Sequence, residues 1–280
     1  MFEPFQSGNS ETSDRPVHIL HITDSHLFAQ RTGRLLGLVT YDSLKAVLAD
    51  ATREPPDMVL ATGDLAQDGT AQAYEHLTEA LSNFASACPF PPPVYWVPGN
   101  HDEPAVMRAT LTRAPLRPET EVVVGGWYII LLDSTVSGEV GGVLSEGELA
   151  RLDAGLRAHA DCPALVCLHH NPVATSARWM DDIGLANADA FFAVLDRHPQ
   201  VRGVLWGHVH QAMDVERRGV RLMASPSTCI QFKPETVEFG LDSVAPGYRR
   251  LWLHPDGRLE TRVFRVNNFA GCANPDATGY

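Results

Sequence analysis

The sequence predicts an α/β sandwich: two mixed β-sheets packed on each other and flanked by helices. Three observations predict it. Short apolar runs alternate with helical stretches through most of the chain. The runs are continuous rather than alternating, as expected of buried, mostly parallel strands. The C-terminal third then reads as one strand after another, which suggests a second sheet packed on the first.

The elements follow in order. The first apolar run covers residues 17–22 (VHILHI) and a helix follows over 41–52. A second run at 57–61 (DMVLA) leads into a helix over 70–84, and a third lies at 94–97 (VYWV). Residues 121–132 suit a β-ribbon. A helix fits 145–159, with Ser145 as its N-cap and Glu148 completing a capping box. Next come a strand at 164–168, a helix over 187–197 and a strand at 201–206. The strands of the last third fall at 213–216, 220–224, 249–253 and 259–266. The proline-rich stretch at 88–93 is too short to separate domains, and no internal repeat occurs. One domain over residues 1–280 is expected, with loose ends at 1–15 and 267–280.

Composition narrows the function classes. A 280-residue chain that is 44% hydrophobic and 20% charged can bury a large core. The net charge of −12 argues against a nucleic-acid polymer or an anionic membrane as partner. A small anionic substrate stays open, because a bound divalent metal inverts the local field. The five cysteines are odd in number and form no CxxC pair, which disfavours a disulfide framework or a thiolate metal site. The polar start of the chain and the lack of a run near ~18 apolar residues lead to the expectation of a soluble, cytoplasmic protein. No GxGxxG or P-loop motif is present, which weakens a dehydrogenase or kinase reading.

The chemistry is positional. Almost every expected strand ends in residues that ligate metals: Asp24 and His26 after the first, Asp64 after the second, and Asn100, His101 and Asp102 after the third. His169 and His170 follow the strand at 164, and His208 and His210 the one at 201. Ligands of open α/β sheets gather beyond the carboxyl ends of the strands, so five such ends can converge. Asp24 and His26 are two apart, as are His208 and His210; in extended backbone such pairs point the same way. Singly, each motif also fits a turn or a cap. Imidazole and carboxylate without thiolate suit zinc, iron or manganese. Seven ligands exceed one four-coordinate zinc and fit two ions if Asp64 bridges. His21, inside the first strand, reads as a core histidine; His76, His159, His198 and His254 read as surface residues.

At these blocks the sequence resembles the calcineurin-like metallophosphoesterases, whose pattern runs Asp-x-His, Gly-Asp, Gly-Asn-His-Asp/Glu, His and Gly-His-x-His. The strings HITDSHLFAQ, TGDLAQD, SPSTCIQFKP and LDSVAPGYRRLWLHPDG are similar to those of class III cyclic 3′,5′-AMP phosphodiesterases. The resemblance implies one metal on Asp24, His26, Asp64 and His210, and another on Asp64, Asn100, His169 and His208. It implies iron, manganese or zinc, with an iron/manganese pair favoured. His101 is then the catalytic histidine and Asp102 orients it. His26, Asp64, Asn100, His101 and His169 lie around the substrate phosphate. The implied reaction is hydrolysis of cyclic AMP to 5′-AMP, by hydroxide held between the metals. A broader phosphodiesterase or phosphomonoesterase is the alternative, and a silent nucleotide-binding module a third. A homodimer is a family analogy. Arg31 or Arg34 in the loop 27–40, and Phe232 and Gln231 in SPSTCIQFKP, are candidates for contacting the nucleotide.

Overall fold

The computed structural model describes residues 15–266, 269–271, 273, 274, 277 and 279. Two six-stranded sheets form the body. The first runs Leu259–Arg265, Gly247–Leu253, Val17–Ile22, Met58–Thr62, Val94–Val97, Leu116–Arg117. Its last four strands are parallel, and the first two add antiparallel. The second runs Met213–Arg217, Val220–Ala224, Val201–Trp206, Ala164–Cys167, Trp127–Leu131, Glu121–Val124. Four parallel strands lie at its centre, with an antiparallel strand at either edge. Parallel strands end on one side of a sheet, so each sheet sends four strand ends to one rim.

Strand periodicity sorts the side chains into layers. Ile19, Leu60 and Leu251 point inward and meet Ile129, Leu165 and Leu205 of the second sheet. Leu20, Val59 and Val94 point outward, under the helices Thr40–Ala51, Ala71–Ala87 and Pro104–Thr110. On the far side, Tyr128, Ile130, Val166 and Val204 pack under Glu146–Ala158 and Ala188–Leu195. Each fully buried Leu or Ile contributes about 1.5–3 kcal/mol, so the strand ends are held on a rigid base. Among the described residues, no helix is long and apolar enough to cross a membrane.

The strands expected in the C-terminal third exist but do not make the second sheet. That sheet already begins at Glu121–Val124. The C-terminal strands divide: Met213–Arg217 and Val220–Ala224 join the second sheet, whereas Gly247–Leu253 and Leu259–Arg265 extend the first beside Val17–Ile22. The apolar side chains explain the division, since Leu251 and Leu253 fill the layer between the sheets while Tyr248 packs outward. Ser145 caps its helix as expected, accepting from Glu148 N at 3.1 Å. Glu148 does not close the box; its carboxylate accepts from Asp133 N and pairs with Arg151. The seven-residue helix Pro104–Thr110 was too short for its pattern to register. His76 and His198 are not surface residues: they are 7% and 9% exposed, under Phe28 O and against Asp153 respectively. The expected loose ends lie largely outside the described residues. Of those described, Arg15 pairs with Asp57 and Asn274 N donates to Leu36 O.

Candidate metal centre

The rim where the parallel strands end is strained. Asp24, His26, Asp64, His208 and His210 have φ of 54°, 44°, 50°, 66° and 47°. Left-handed backbone at a non-glycine residue costs on the order of 1–3 kcal/mol and gathers at functional sites. The extended geometry expected for Asp24/His26 and His208/His210 is therefore absent. Instead the chain turns sharply at these five residues, pinned by Asp24 N to Gly63 O at 3.0 Å and His26 N to Asp64 O at 2.9 Å. Gly207 leaves room for this turn, because a Cβ there would lie 2.7 Å from Asp24 Oδ2.

The side chains form a cage in which acceptors face acceptors. His26 Nδ1 bonds Gln67 Oε1 at 2.7 Å, His169 Nδ1 bonds Thr62 O at 2.8 Å and His210 Nδ1 bonds Ile230 O at 3.0 Å. Each partner is an oxygen that can only accept, so each Nδ1 carries a proton, and a ring in its neutral form turns the Nε2 lone pair inward. Those lone pairs converge. His26 Nε2 and His210 Nε2 are 3.1 Å apart. His169 Nε2 is 3.1 Å from Asn100 Oδ1 and 3.3 Å from Asp64 Oδ2. His210 Nε2 is 3.4 Å from Asp24 Oδ1. On the other side, His208 Nε2 donates to Ile183 O at 3.0 Å, which leaves its Nδ1 for the cage.

Ligand atoms of Asp24, His26 and His210 lie within 4.8 Å of one another, as do those of Asp24, Asp64 and His169. Asp64 Oδ2 stands between the two halves, 3.8 Å from His26 Nε2 and 3.3 Å from His169 Nε2. Lone pairs aimed at one another in a buried site repel unless a cation lies between them. The nitrogen and oxygen donors, with their carbonyl-anchored imidazoles, therefore fit metal ions. Protonation follows the same logic. Burial would raise Asp64, but His169, His101 and His26 around it hold it well below the usual carboxylate range. Burial, reinforced by neighbouring histidines and opposed by Asp64, holds His26 and His208 well below the usual imidazole range, so both are neutral at pH 7.

His101 stands at the edge of the cage, its ring 5.1 Å from that of His26 and edge-on to it. It lines a cavity of about 760 Å³ with Asn100, Gln67, Arg108, Asp133 and Thr135. The carboxylate of Asp102, expected to orient His101, faces backbone amides. It accepts from the amides of Leu65, Ala66 and Gly99 and from Tyr74 Oη, tying together the loops that carry Asp64 and His101. Gln67 Nε2 lies 3.2 Å from His101 Nδ1. His170 has both ring nitrogens engaged, by Ser134 Oγ and Val140 O, although it lies beside His169 and His208.

The nucleotide-contact candidates have other partners. Arg31 pairs with Glu79, and Arg34 donates to Gly37 O. Phe232 is 1% exposed and stacks on His210 at 4.2 Å, while Gln231 donates to Ser227 O. His21 is a satisfied core histidine, bonded to Thr62 Oγ1 and Ser225 Oγ. Gln67 was missed, though it lies in TGDLAQD three residues past Asp64; a polar residue so close to a ligand on a tight turn was the available signal.

Comparison with known proteins agrees with this geometry. The family model for calcineurin-like phosphoesterases matches residues 17–212. The 3′,5′-cyclic adenosine monophosphate phosphodiesterase CpdA of Pseudomonas aeruginosa is 42% identical over 275 residues, covering 98% of each chain. The enzyme of the same name from Escherichia coli K12 is 44% identical over 254 residues, 89% of this chain and 90% of that one. A dimetal phosphatase from Danio rerio shares the fold, with a TM-score of 0.57 at 19% identity, over 90% of this chain and all of that one. Dinuclear metal centres are the working sites of such enzymes. By the span of the family match and the identity to these relatives, this chain belongs to the calcineurin-like phosphoesterases.

Proposed function

We propose that the chain is a metal-dependent phosphodiesterase that hydrolyses cyclic 3′,5′-AMP to 5′-AMP. The observation that carries this is the acceptor-only cage with a ring nitrogen of His101 at its edge and a nucleoside-sized cavity alongside. Relatives named for this reaction match nearly end to end, which supports the choice of substrate. Asp24, His26, Asp64 and His210 would hold one ion, and Asp64, Asn100, His169 and His208 the other. Iron, manganese and zinc all suit these donors. When bound, the ions supply Lewis acidity and a water acidic enough to attack at neutral pH.

The rest is done by the chain's own residues. The ligands fix where the phosphate sits, and Asn100 and His26 flank it. His101 donates a proton to the departing ribose O3′, which would otherwise leave as an alkoxide; such help is worth on the order of 10²–10⁴-fold. Asp102 keeps the His101 loop against the Asp64 loop, so acid and cage move as one body. A cytoplasmic location is part of the proposal, in keeping with removal of a second messenger.

Product analysis tests the reading. Protein loaded with manganese or iron should release 5′-AMP from cyclic 3′,5′-AMP, and metal-stripped protein should not. Hydrolysis of an aryl phosphodiester without turnover of cyclic AMP would move the function to a broader phosphodiesterase.

A further inference from the structure

The stretch SPSTCIQFKP, residues 225–234, wraps two of the ligand candidates. Ser227 Oγ donates to Asp24 O at 2.8 Å, and Cys229 N donates to Ser227 Oγ at 2.9 Å. His210 is held on three sides. Its Nδ1 donates to Ile230 O at 3.0 Å, and its carbonyl oxygen accepts from Phe232 N at 3.3 Å. The Phe232 ring stacks on its imidazole, with centroids 4.2 Å apart and planes within 12°. His169 and His208 are anchored outside this stretch, on Thr62 O and Ile183 O.

Phe232 is itself fixed. It is buried, Trp179 and Phe239 meet its ring edge-on at 5.0 and 5.6 Å, and its backbone pairs with Leu241. Beside it the Gln231 amide is used at both ends, donating to Ser227 O and accepting from Arg265, each at 2.7 Å. One hydrogen bond at Nδ1 fixes an atom of an imidazole but lets the ring swing about that bond. A flat, immobile face against the ring removes the swing. The Nε2 of His210 is thereby held 3.4 Å from Asp24 Oδ1, on the ligand that Ser227 braces from behind. We propose that residues 227–232 are the scaffold of one ion site, that of Asp24, His26, Asp64 and His210, and that Phe232 is a positioning residue that sets the ring plane of His210. That role rests on the cage reading of the site. It gives Phe232 a task in place of the nucleotide contact expected from the sequence.

Phe232→Leu keeps the position apolar and removes the flat face. Partners that orient ligand histidines are typically worth 10–100-fold in metal affinity. Zinc-loaded protein is titrated with a competing chelator, and the zinc left per chain is read by elemental analysis. Wild-type protein should hold two ions. In Phe232→Leu one ion should leave about tenfold more readily, and the other should hold as in the wild type. A merely structural loss would weaken both ions together. Equal weakening of the two, or no weakening of either, would overturn the proposal.

His210→Ala identifies the ion. It should release the same ion that Phe232→Leu weakens, and adding Phe232→Leu to it should leave the remaining ion as tightly held as before. A further loss in the double variant would overturn the proposal. Phe232→Met, which fills similar space without a flat face, gives the same comparison should Phe232→Leu fail to fold. The readout is metal content rather than turnover, so failure of the cyclic AMP reading leaves this inference standing. Wild-type protein that binds no zinc would overturn the cage reading and this inference together.

Discussion

Two groups of buried histidines sit within the same rim and differ in one respect. His21 is fully buried between Thr62 Oγ1 and Ser225 Oγ. Hydroxyls both donate and accept, so each ring nitrogen of His21 finds a complement. His26, His169 and His210 are equally buried, but their outer nitrogens are spent on acceptor oxygens and their inner nitrogens face more acceptors. One group is electrically balanced by itself; the other needs a cation. Burial therefore does not mark a ligand histidine. The tally of donors against acceptors does, and it can be made from heavy-atom positions when no ion is in view.

The strongest way to break the contrast is to empty the centre of the cage. Asp64→Ala should reduce metal content from two ions per chain to one or none and bring turnover to background, because Asp64 Oδ2 lies between the two ligand groups. Full occupancy by elemental analysis would remove Asp64 from its bridging place. His101→Ala should act differently: both metals stay, and cyclic AMP turnover falls on the order of 10²–10⁴-fold. Near-normal turnover in that variant would sink its role as the acid.

Removing the ions sharpens the comparison in the other direction. Burial works against a proton on His169, but Asp64 and Asp24 push it up to about 9. The bare cage thus recruits a proton as its cation, and a metal must displace it. Below pH 9 metal loading should release about one proton, and affinity should rise about tenfold per pH unit until it levels above 9. Calorimetry in buffers of different ionisation enthalpy reads that proton; no release at pH 7 would show that His169 is already neutral. Chelation should also lower the melting temperature, since an ion present at a thousand times its dissociation constant stabilises by about 4 kcal/mol.

Much of this was legible in the sequence because of where residues fall along strands. Continuous runs such as VHILHI announced parallel strands, and Asp24, Asp64, Asn100, His169 and His208 stood just past their ends. The structure brings those residues together on one rim, Asn100 through its contact with His169. Illegible were features decided by tertiary partners. Nothing local to Gly247–Leu253 says that it pairs with Val17–Ile22 rather than with its neighbours in sequence. The family resemblance gave Asp102 the task of orienting His101, and its carboxylate turns toward amides almost forty residues back. The left-handed turns at Asp24 and His208 were hidden for a related reason: local propensity disfavours them, and only the surrounding packing and the site's chemistry sustain them.

The smallest functional effect belongs to the balanced group. His21→Leu leaves the hydroxyls of Thr62 and Ser225 buried without their partner, at a cost of about 1–3 kcal/mol each. Stability to urea should drop accordingly while metal content stays at the wild-type level. The informative variant is the triple change His21→Leu, Thr62→Val, Ser225→Ala. Replacing all members of a satisfied polar group by apolar ones of similar shape can be nearly neutral, so the triple variant should recover most of the stability lost by the single one. The cage would admit no such repair, because a bound cation rather than a side chain would balance its lone pairs. If the triple variant instead lost metal, His21 and its hydroxyls would be part of the ligand scaffold, acting through Thr62, whose carbonyl oxygen accepts from His169, and the division between the two histidine groups would fail at that residue.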